Sequence, residues 1–212
     1  LSNQYTLSEI IDGYLFCVHP VNYNDPFDCP LDPYPDSYKK IASGVRVCSF
    51  SSSSDDRLSP EKNVLMWSHY AENHTGICIE YEIGANRMDN FAMYQVQYRD
   101  EMSFRRDRYR DEMSFRRDRF FELKNYDWKY ENECRIIHWD QNNIGNEKPY
   151  NLEVRKNNIR IKSIIFGLKC SETNISTIKN LIKNSNALDD ISLYKMKKSC
   201  PKTKFTLEKV DI

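Results

Sequence analysis

The chain has 212 residues, enough to bury the core of one domain or of one domain with a small appendage. Its 31 basic and 31 acidic residues cancel, which argues against a general nucleic-acid or anionic-membrane binder. There is no apolar run long enough to span a bilayer and no signal-peptide pattern, so no membrane partner is expected. The seven cysteines are scattered and never form C-x-x-C. We therefore expect reduced thiols in a cytoplasmic protein rather than a disulfide framework or a zinc site.

The first elements are a short helix from Leu7, ended by Gly13, and a strand over Tyr14–Val18. Turn-forming residues follow from Asn22 to Pro30, because Asn and Asp hydrogen-bond nearby backbone and proline disfavours helix at the residue before it. Asn24 and Asp25 in this turn are candidate ligand-binding residues. Capping of backbone N–H groups remains the alternative for Asp25 and Asp28.

A strand over Val45–Phe50 ends in a run of serines that includes Ser49 and Ser51. A short helix and a second strand, Ile77–Glu82, come next. At 3.6 residues per turn the side chains of Trp67, Tyr70, Ala71 and His74 share one helix face, and Gly76 is expected to end the helix with a positive φ. This face suits a flat polar ligand, or else a buried aromatic helix with one hydrogen-bonded histidine.

A strand is predicted over Met93–Tyr98, where an arginine-rich duplication begins. The eleven residues from Tyr98 to Arg108 recur unchanged as Tyr109 to Arg119, so that an insert occupies residues 98–119. Each copy carries four arginines against three acidic residues. Such balanced charge favours a solvated segment with internal ion pairs, although the interleaved aromatics also leave nucleic-acid contact open.

The remaining pattern predicts more strands than helices. We predict strands at Cys134–Trp139, Ile159–Phe166, Ile191–Met196 and Lys204–Val210, with a helix from Ser176 to Asn184 that opens near Ser171 or Thr173. No regular alternation of strand and helix is present. The sequence therefore predicts a single α+β domain over 1–212, with a mainly antiparallel, twisted sheet and a few short helices.

A second group of chemical residues precedes the strand at Cys134. Glu131 and Glu133 lie on the same side if the strand has already begun, with Arg135 in line. Two close carboxylates raise each other's pKa, and a neighbouring arginine counteracts this effect. The pair could supply a base or stabilise a cationic transition state. The alternative is one surface glutamate and one held by Arg135.

Several motifs together carry a resemblance to a known family. They are Asn24-Asp25-Pro26-Phe27-Asp28, Cys48-Ser49-Phe50-Ser51, Leu65-Met66-Trp67-Ser68-His69-Tyr70-Ala71 with His74 and Gly76, Trp128-x-Tyr130-Glu131-x-Glu133-x-Arg135, and Ile165-Phe166-Gly167. In order and spacing this set resembles a widespread bacterial domain-of-unknown-function family, family 2971. Members usually begin with a strand bearing a Tyr-Arg pair, which has no counterpart here, and the duplication at 98–119 lies outside the family pattern.

The layout is also similar to that of ADP-ribosyltransferases, which cleave the nicotinamide bond of NAD. By this similarity Ser49 or Ser51 would orient the nicotinamide ribose, and Trp67 or Tyr70 would stack on the nicotinamide. Glu133 would bind the ribose 2′-hydroxyl and stabilise the oxocarbenium-like transition state, and Glu131 would orient or deprotonate the acceptor. The Arg or His of the first strand in that layout has no counterpart in this chain.

These observations lead to three hypotheses of function. The first is an NAD-consuming, ADP-ribosyltransferase-like enzyme, a toxin or phage-defence effector of the bacterial cytoplasm, which modifies a protein or nucleic-acid acceptor. Its catalytic candidates are Glu133, Glu131 and His74, and NAD is its substrate. The second is a non-catalytic module that binds a nucleotide or a protein partner through Trp67, Tyr70 and His74. The third is a metal-dependent nuclease that uses Asp25, Asp28, Glu131 and Glu133.

Overall fold

The computed structural model describes residues 9–25, 27–28, 36, 39, 42–52, 62–84, 91–100, 119–140, 148–184, 190–199 and 205–212. Within these residues the chain forms an α+β structure whose strands pair mostly antiparallel, as predicted. Contacts divide the chain into two compact units. Unit 1 comprises Leu1–Tyr14, Ser53–Asn86 and Glu153–Ile212, and unit 2 comprises Leu15–Ser52 and Arg87–Leu152. The single domain proposed over 1–212 stays a prediction.

The described strands, in chain order, are β1 (Tyr14–Cys17), β2 (Val45–Ser51), β3 (Ile77–Ile83), β4 (Phe91–Gln95), β5 (Gln97–Arg99), β6 (Leu123–Asn125), β7 (Glu133–Trp139), β8 (Tyr150–Glu153), β9 (Ile159–Phe166), β10 (Ser192–Lys198) and β11 (Phe205–Val210). The α-helices with defined bounds are α1 (Val64–Tyr70) and α2 (Glu172–Lys183). Short 3₁₀ helices occur at Pro20–Asn22, Arg119–Glu122, Tyr126–Glu131 and Arg155–Asn157. Residues 9–12 are also helical, and Gly13 follows them with a φ of 70°, as expected for a glycine that ends a helix.

The sheet of unit 1 has the strand order β11-β10-β9-β3 and carries a helix on each face. Strands β9 and β10 are parallel, and the other two pairs are antiparallel. Because side chains alternate along β9, Ile164 and Phe166 pack against the apolar stripe of α2, whereas Ile165 lies in a second cluster with Trp67 and Ala71. Helix α1 therefore packs on the face of the sheet opposite to α2.

The sheet of unit 2 has the order β2-β7-β4, and both of its pairs are antiparallel. One end of it packs in an apolar cluster that includes Val45, Val47, Phe121 and Ile137. The single strand predicted over Met93–Tyr98 is divided between two strands, β4 and β5. Strand β4 ends at Gln95, which pairs with Cys134, the second residue of β7. Strand β5 begins at Gln97 and pairs in parallel with β6.

Most of the duplicated segment lies outside the described residues. Its first three residues, 98–100, and its last, Arg119, belong to the described residues, and residues 101–118 do not. The internal ion pairs expected in this segment therefore stay a prediction.

Candidate functional site

On one face of the unit 2 sheet, the side chains change from apolar to polar along β2 and β7. Strands β2 and β7 pair so that Ser49 lies opposite Arg135 and Ser51 opposite Glu133. Every second residue shares a face, so the polar pairs continue the face that begins with Val45 and Val47 opposite Trp139 and Ile137. Regular backbone pairing therefore holds the polar end of this face, where Arg135 and Glu133 are buried, Ser51 is partly buried and Ser49 is exposed.

Arg135 joins two motifs that are far apart in the sequence. Its Nη1 and Nη2 donate to the two carboxylate oxygens of Asp28, at 3.0 and 2.5 Å. Its Nε and Nη2 donate to the two oxygens of Glu133, at 2.7 and 3.0 Å. Nη1 also donates to the carbonyl of Phe121 at 3.0 Å. A planar guanidinium is suited to such paired contacts, which makes Arg135 the connector between the turn at Asp28 and β7.

Lys124 closes the network from β6. Its Nζ lies 2.6 Å from Glu131 Oε2, 3.0 Å from Glu133 Oε2 and 3.5 Å from Asp28 Oδ2. We call Asp28, Lys124, Glu131, Glu133 and Arg135 the ion network. Each of these residues is at most 5% exposed. The described network holds three carboxylates and two cations, so it carries one net negative charge when all five groups are ionised.

A tight turn brings the two glutamates to the same lysine. Glu131 ends a 3₁₀ helix, and Asn132 adopts a left-handed conformation with φ 46° and ψ 51° before β7 begins at Glu133. Asparagine tolerates this region better than most side chains. The two carboxylates contact the same lysine, but the strand begins only at Glu133, so the alternation along a strand on which the prediction depended does not bring them together. Ser51 also holds this turn, because its Oγ donates to the Glu131 carbonyl at 2.7 Å.

Aromatic rings surround the ion network. The ring of Tyr23 lies 5.4 Å from the guanidinium carbon of Arg135, and the ring of Trp128 lies 4.9 Å from Lys124 Nζ. Such cation–π contacts add to ion pairing where water is excluded. The hydroxyl of Tyr98 accepts the backbone N–H of Glu133 at 2.7 Å. These rings shield the charges from solvent on several sides.

The network shifts the ionisation of its members in opposite directions. Burial raises the pKa of Glu133, but Arg135, Lys124 and a hydrogen bond from Ser49 outweigh burial and leave this pKa below its ordinary value. Burial lowers the pKa of Lys124, and the carboxylates of Glu133, Glu131 and Asp28 reverse this and raise it overall. Burial, with the charges of Glu133 and Glu131, raises the pKa of Tyr98 to about 12. At neutral pH Glu133 is therefore stable as the carboxylate, Lys124 as the ammonium and Tyr98 as the neutral phenol.

The turn before β2 holds Asp25 and Asp28 in different roles. Asp25 is buried, and its Oδ1 accepts the backbone N–H of Phe27 at 2.9 Å, which is the capping alternative. Asp28 instead belongs to the ion network. Asn24 is exposed. The acids proposed for a metal-dependent nuclease therefore separate: Asp28, Glu131 and Glu133 converge on Lys124, and Asp25 binds its own turn.

The aromatic residues proposed as a ligand site belong to unit 1. The rings of Trp67 and His74 are stacked, with centroids 6.3 Å apart and planes at 10°. Ser68 Oγ lies 3.4 Å from His74 Nε2, and the ring of Phe205 lies 5.9 Å from the imidazole. Ser49, Ser51, Glu131 and Glu133 belong to unit 2 and are brought together there.

Three details of the predicted helix face are wrong. Helix α1 ends at Tyr70, so Ala71 is its C-cap and His74 lies in the turn that follows. Tyr70 is 50% exposed, whereas Trp67 is 2% exposed, since three residues turn the helix by 300° and leave the tyrosine at the edge of the buried stripe. Gly76 does not have a positive φ. The left-handed residues are Glu72, Asn73 and His74, with φ of 48°, 55° and 72°. Gly76 instead allows a close approach, because an added Cβ would lie 3.2 Å from the backbone of Ala71, a tight contact.

Sequence reasoning missed Lys124 and Tyr98 as members of the site. Lys124 lies on a strand of three residues, and a lone lysine there is usually a solvated side chain. Tyr98 stands at the start of the duplication, which drew the interpretation toward the arginines. The sequence held one signal for such a residue. Two closely spaced glutamates, Glu131 and Glu133, before a buried strand need more positive charge than one arginine provides.

Among the described residues, no group of three or more His, Cys, Asp or Glu side chains is arranged to hold a metal ion. The cysteines at 17, 48, 78, 134 and 170 are free thiols. In the same part of the chain, the helices are too short or too polar to cross a membrane.

A family model matches part of the chain, from α1 to the middle of β7. Residues 66–136 match the model of a family described as "Protein of unknown function (DUF2971)". Residues 66–136 are thus similar to that family, and the predicted resemblance is confirmed over this segment. No curated protein and no solved structure shows significant similarity to the chain.

Proposed function

We propose that unit 2 carries the active centre of an NAD-consuming, ADP-ribosyltransferase-like enzyme. The observation that carries this proposal is the register of β2 and β7, which sets Ser49 and Ser51 beside Glu133. The hydroxyl of Ser49 also helps to lower the pKa of the Glu133 carboxyl group. Serines next to a glutamate are the arrangement that the similarity to ADP-ribosyltransferases assigns to ribose binding and to stabilisation of the transition state.

The charge of the ion network supports the same chemistry. Cleavage of the bond between nicotinamide and ribose passes through a cationic, oxocarbenium-like state, which an ionised carboxylate stabilises. Glu133 is held in its anionic form by Arg135 and Lys124. With all five groups ionised, the described network has one net negative charge, which is the sign that such a transition state requires. Glu131, on the same lysine, would orient the acceptor nucleophile.

The test is the release of nicotinamide from NAD by the full chain in the presence of a bacterial cell extract. With Glu133→Gln, we expect release to fall about 100-fold, because the variant keeps the shape and loses the charge. Glu80→Gln is the matched control, since Glu80 is also hydrogen-bonded by a serine and a lysine but lies on β3. Circular dichroism of each variant checks that it is folded.

Label transfer from NAD to extract components then identifies the acceptor as protein or nucleic acid. A toxin or phage-defence effector of this type should also slow the growth of a bacterial host that expresses it, and Glu133→Gln should restore growth. If the folded wild-type chain releases no nicotinamide with any extract, the proposal of NAD consumption is wrong.

A second candidate is a non-catalytic binding module, and one observation favours it. Both oxygens of Glu133 accept hydrogen bonds from Arg135, one of them also contacts Lys124, and the residue is 4% exposed. Buried carboxylates that are so fully paired commonly hold a fold together. Titration calorimetry with NAD and with other nucleotides distinguishes the two candidates. Binding without nicotinamide release supports the module, and release that depends on Glu133 supports the enzyme.

A further inference from the structure

The turn from Ala71 to Gly76 in unit 1 is held in a strained backbone conformation. Three successive residues, Glu72, Asn73 and His74, are left-handed, and none is glycine. L-residues rarely adopt this region in succession, because Cβ then crowds the backbone. We call this segment the 71–76 turn. Strain of this kind persists only where surrounding contacts hold it.

Those contacts come from α1 and from the chain that follows β9. The N–H of His74 donates to the Trp67 carbonyl at 3.1 Å, and the Lys169 N–H donates to the His74 carbonyl at 2.9 Å. The N–H of Gly167 donates to the Gly76 carbonyl at 2.9 Å. A Cβ at Gly167 would lie 2.3 Å from the His74 carbonyl oxygen, so a glycine is needed for the turn to close.

The proton positions in the turn follow from the hydrogen bonds of Ser68. Its Oγ donates its single proton to the Val64 carbonyl at 2.9 Å. The contact of 3.4 Å between Ser68 Oγ and His74 Nε2 must then be donated by the imidazole. His74 Nδ1 is therefore the unprotonated nitrogen. Among the described residues this atom finds no hydrogen-bond partner, and neither does the indole Nε1 of Trp67, although both atoms are buried.

The surroundings of His74 disfavour a second proton on its ring. Burial lowers the pKa of the imidazole, and the positive charge of Lys169 lowers it further. From β11 the ring meets Phe205, and Cys78 of β3 and Tyr194 of β10 lie in the cluster around Trp67. Among the described residues of these elements, Lys169 is the charged group that acts on His74, and its sign is unfavourable to imidazolium.

We propose that the 71–76 turn is a proton-sensitive latch, closed over the Trp67 indole at neutral pH and opened when His74 takes up a proton. In the closed turn, an imidazolium would place an N–H at Nδ1, a buried position where the described residues offer no acceptor, close to the positive charge of Lys169. Opening hydrates the imidazolium, releases the strain of three left-handed residues and gives the indole N–H access to water.

The sign of the pH dependence follows from the lowered pKa in the closed state. The closed turn has its full stability above the ordinary histidine value of 6.5. As the pH falls below that value, the open state binds protons more readily, and the ratio of open to closed turn rises by up to about tenfold for each pH unit.

The experiment follows the Trp67 indole N–H by NMR in the full chain with labelled tryptophan, between pH 7.5 and pH 5. We expect its exchange with water, corrected for intrinsic pH dependence, to rise as the pH falls. His74→Asn should abolish the rise, since asparagine tolerates the left-handed backbone and does not titrate. His69→Asn is the matched control, because His69 lies on the same short helix, and it should keep the wild-type response.

Gly167→Ala tests the latch without a change of charge. The added Cβ should hold the turn open, so the indole should exchange rapidly at pH 7.5 while circular dichroism stays close to that of the wild type. Two outcomes would overturn the proposal: a wild-type indole that does not respond to pH, or an equal response in His74→Asn. Should His74→Asn fail to fold, the wild-type titration decides, because His74 ring protons and Trp67 exchange must share one midpoint.

Discussion

Arg135 is the residue on which the ion network most depends. Its side chain is fully buried and binds both Asp28 and Glu133 through paired contacts. Without the guanidinium, three buried carboxylates would face the single ammonium of Lys124. The cost of a lost partner in such a site exceeds the net benefit of the intact pair, because the remaining charges stay desolvated.

We expect Arg135→Leu to lower the free energy of unfolding by about 4 kcal/mol, the range for breaking a buried ion pair. Urea unfolding measures the change. Arg160→Leu is the control, since Arg160 pairs with Glu82 at the surface, where both side chains are more than half exposed. Its loss should cost less than about 1 kcal/mol. Equal losses in the two variants would contradict a stabilising role for burial of the network.

The lowered pKa of Glu133 predicts a loss of stability in acid. A carboxyl group whose folded pKa lies below its ordinary value of 4.5 contributes its full stability above that pH and loses it as the pH falls further. We expect the wild-type unfolding free energy to decline below about pH 4.5, and the decline to be shallower in Glu133→Gln. Urea unfolding from pH 7 to pH 3 gives both slopes, and parallel slopes would refute the assignment.

At the scale of elements, α2 follows the rules of helix capping. Its N-cap is Ser171, whose Oγ accepts the N–H of Asn174 at 3.2 Å, and Glu172 complements the helix dipole in the first turn. Its buried face consists of Ile175, Ile178 and Ile182. The sequence places this helix well because all of its signals are local.

Ser171→Ala should therefore lower stability by about 1 kcal/mol through the loss of one capped N–H. Ser176→Ala on the exposed side of the same helix should be neutral or slightly stabilising, because alanine has the higher helix propensity. Thermal unfolding of the two variants tests the pair. A smaller loss for Ser171→Ala than for Ser176→Ala would exclude the cap as a source of stability.

At the scale of the whole molecule, the two units have different interiors. Unit 1 has an apolar sheet between two helices, and unit 2 combines an apolar cluster with the ion network. The described strand β5 ends at Arg99, and the next described element begins at Arg119. The duplicated residues separate these two elements of unit 2.

Deletion of residues 109–119 should leave the fold and thermal stability nearly unchanged. The second copy repeats the first, so Arg108 would precede Phe120 as Arg119 does now, and a shorter connection changes closure entropy by less than about 1 kcal/mol. The formal net charge would change from 0 to −1, since each copy carries four arginines and three acids. A thermal melt measures the effect, and loss of the cooperative transition would show that both copies are required.

The sequence alone determined the local features of this protein: the α+β class, most strand positions, the cap of α2 and the motif that identifies the family segment. Periodicity and capping act over a few residues and can be read directly. Only the tertiary structure decided which charges meet. Asp28 and Arg135 are 107 positions apart, and Lys124 joins them from a strand of three residues. Their contact depends on the β2–β7 register and on the left-handed turn at Asn132, because ion pairing is set by distance in space and leaves no period along the chain.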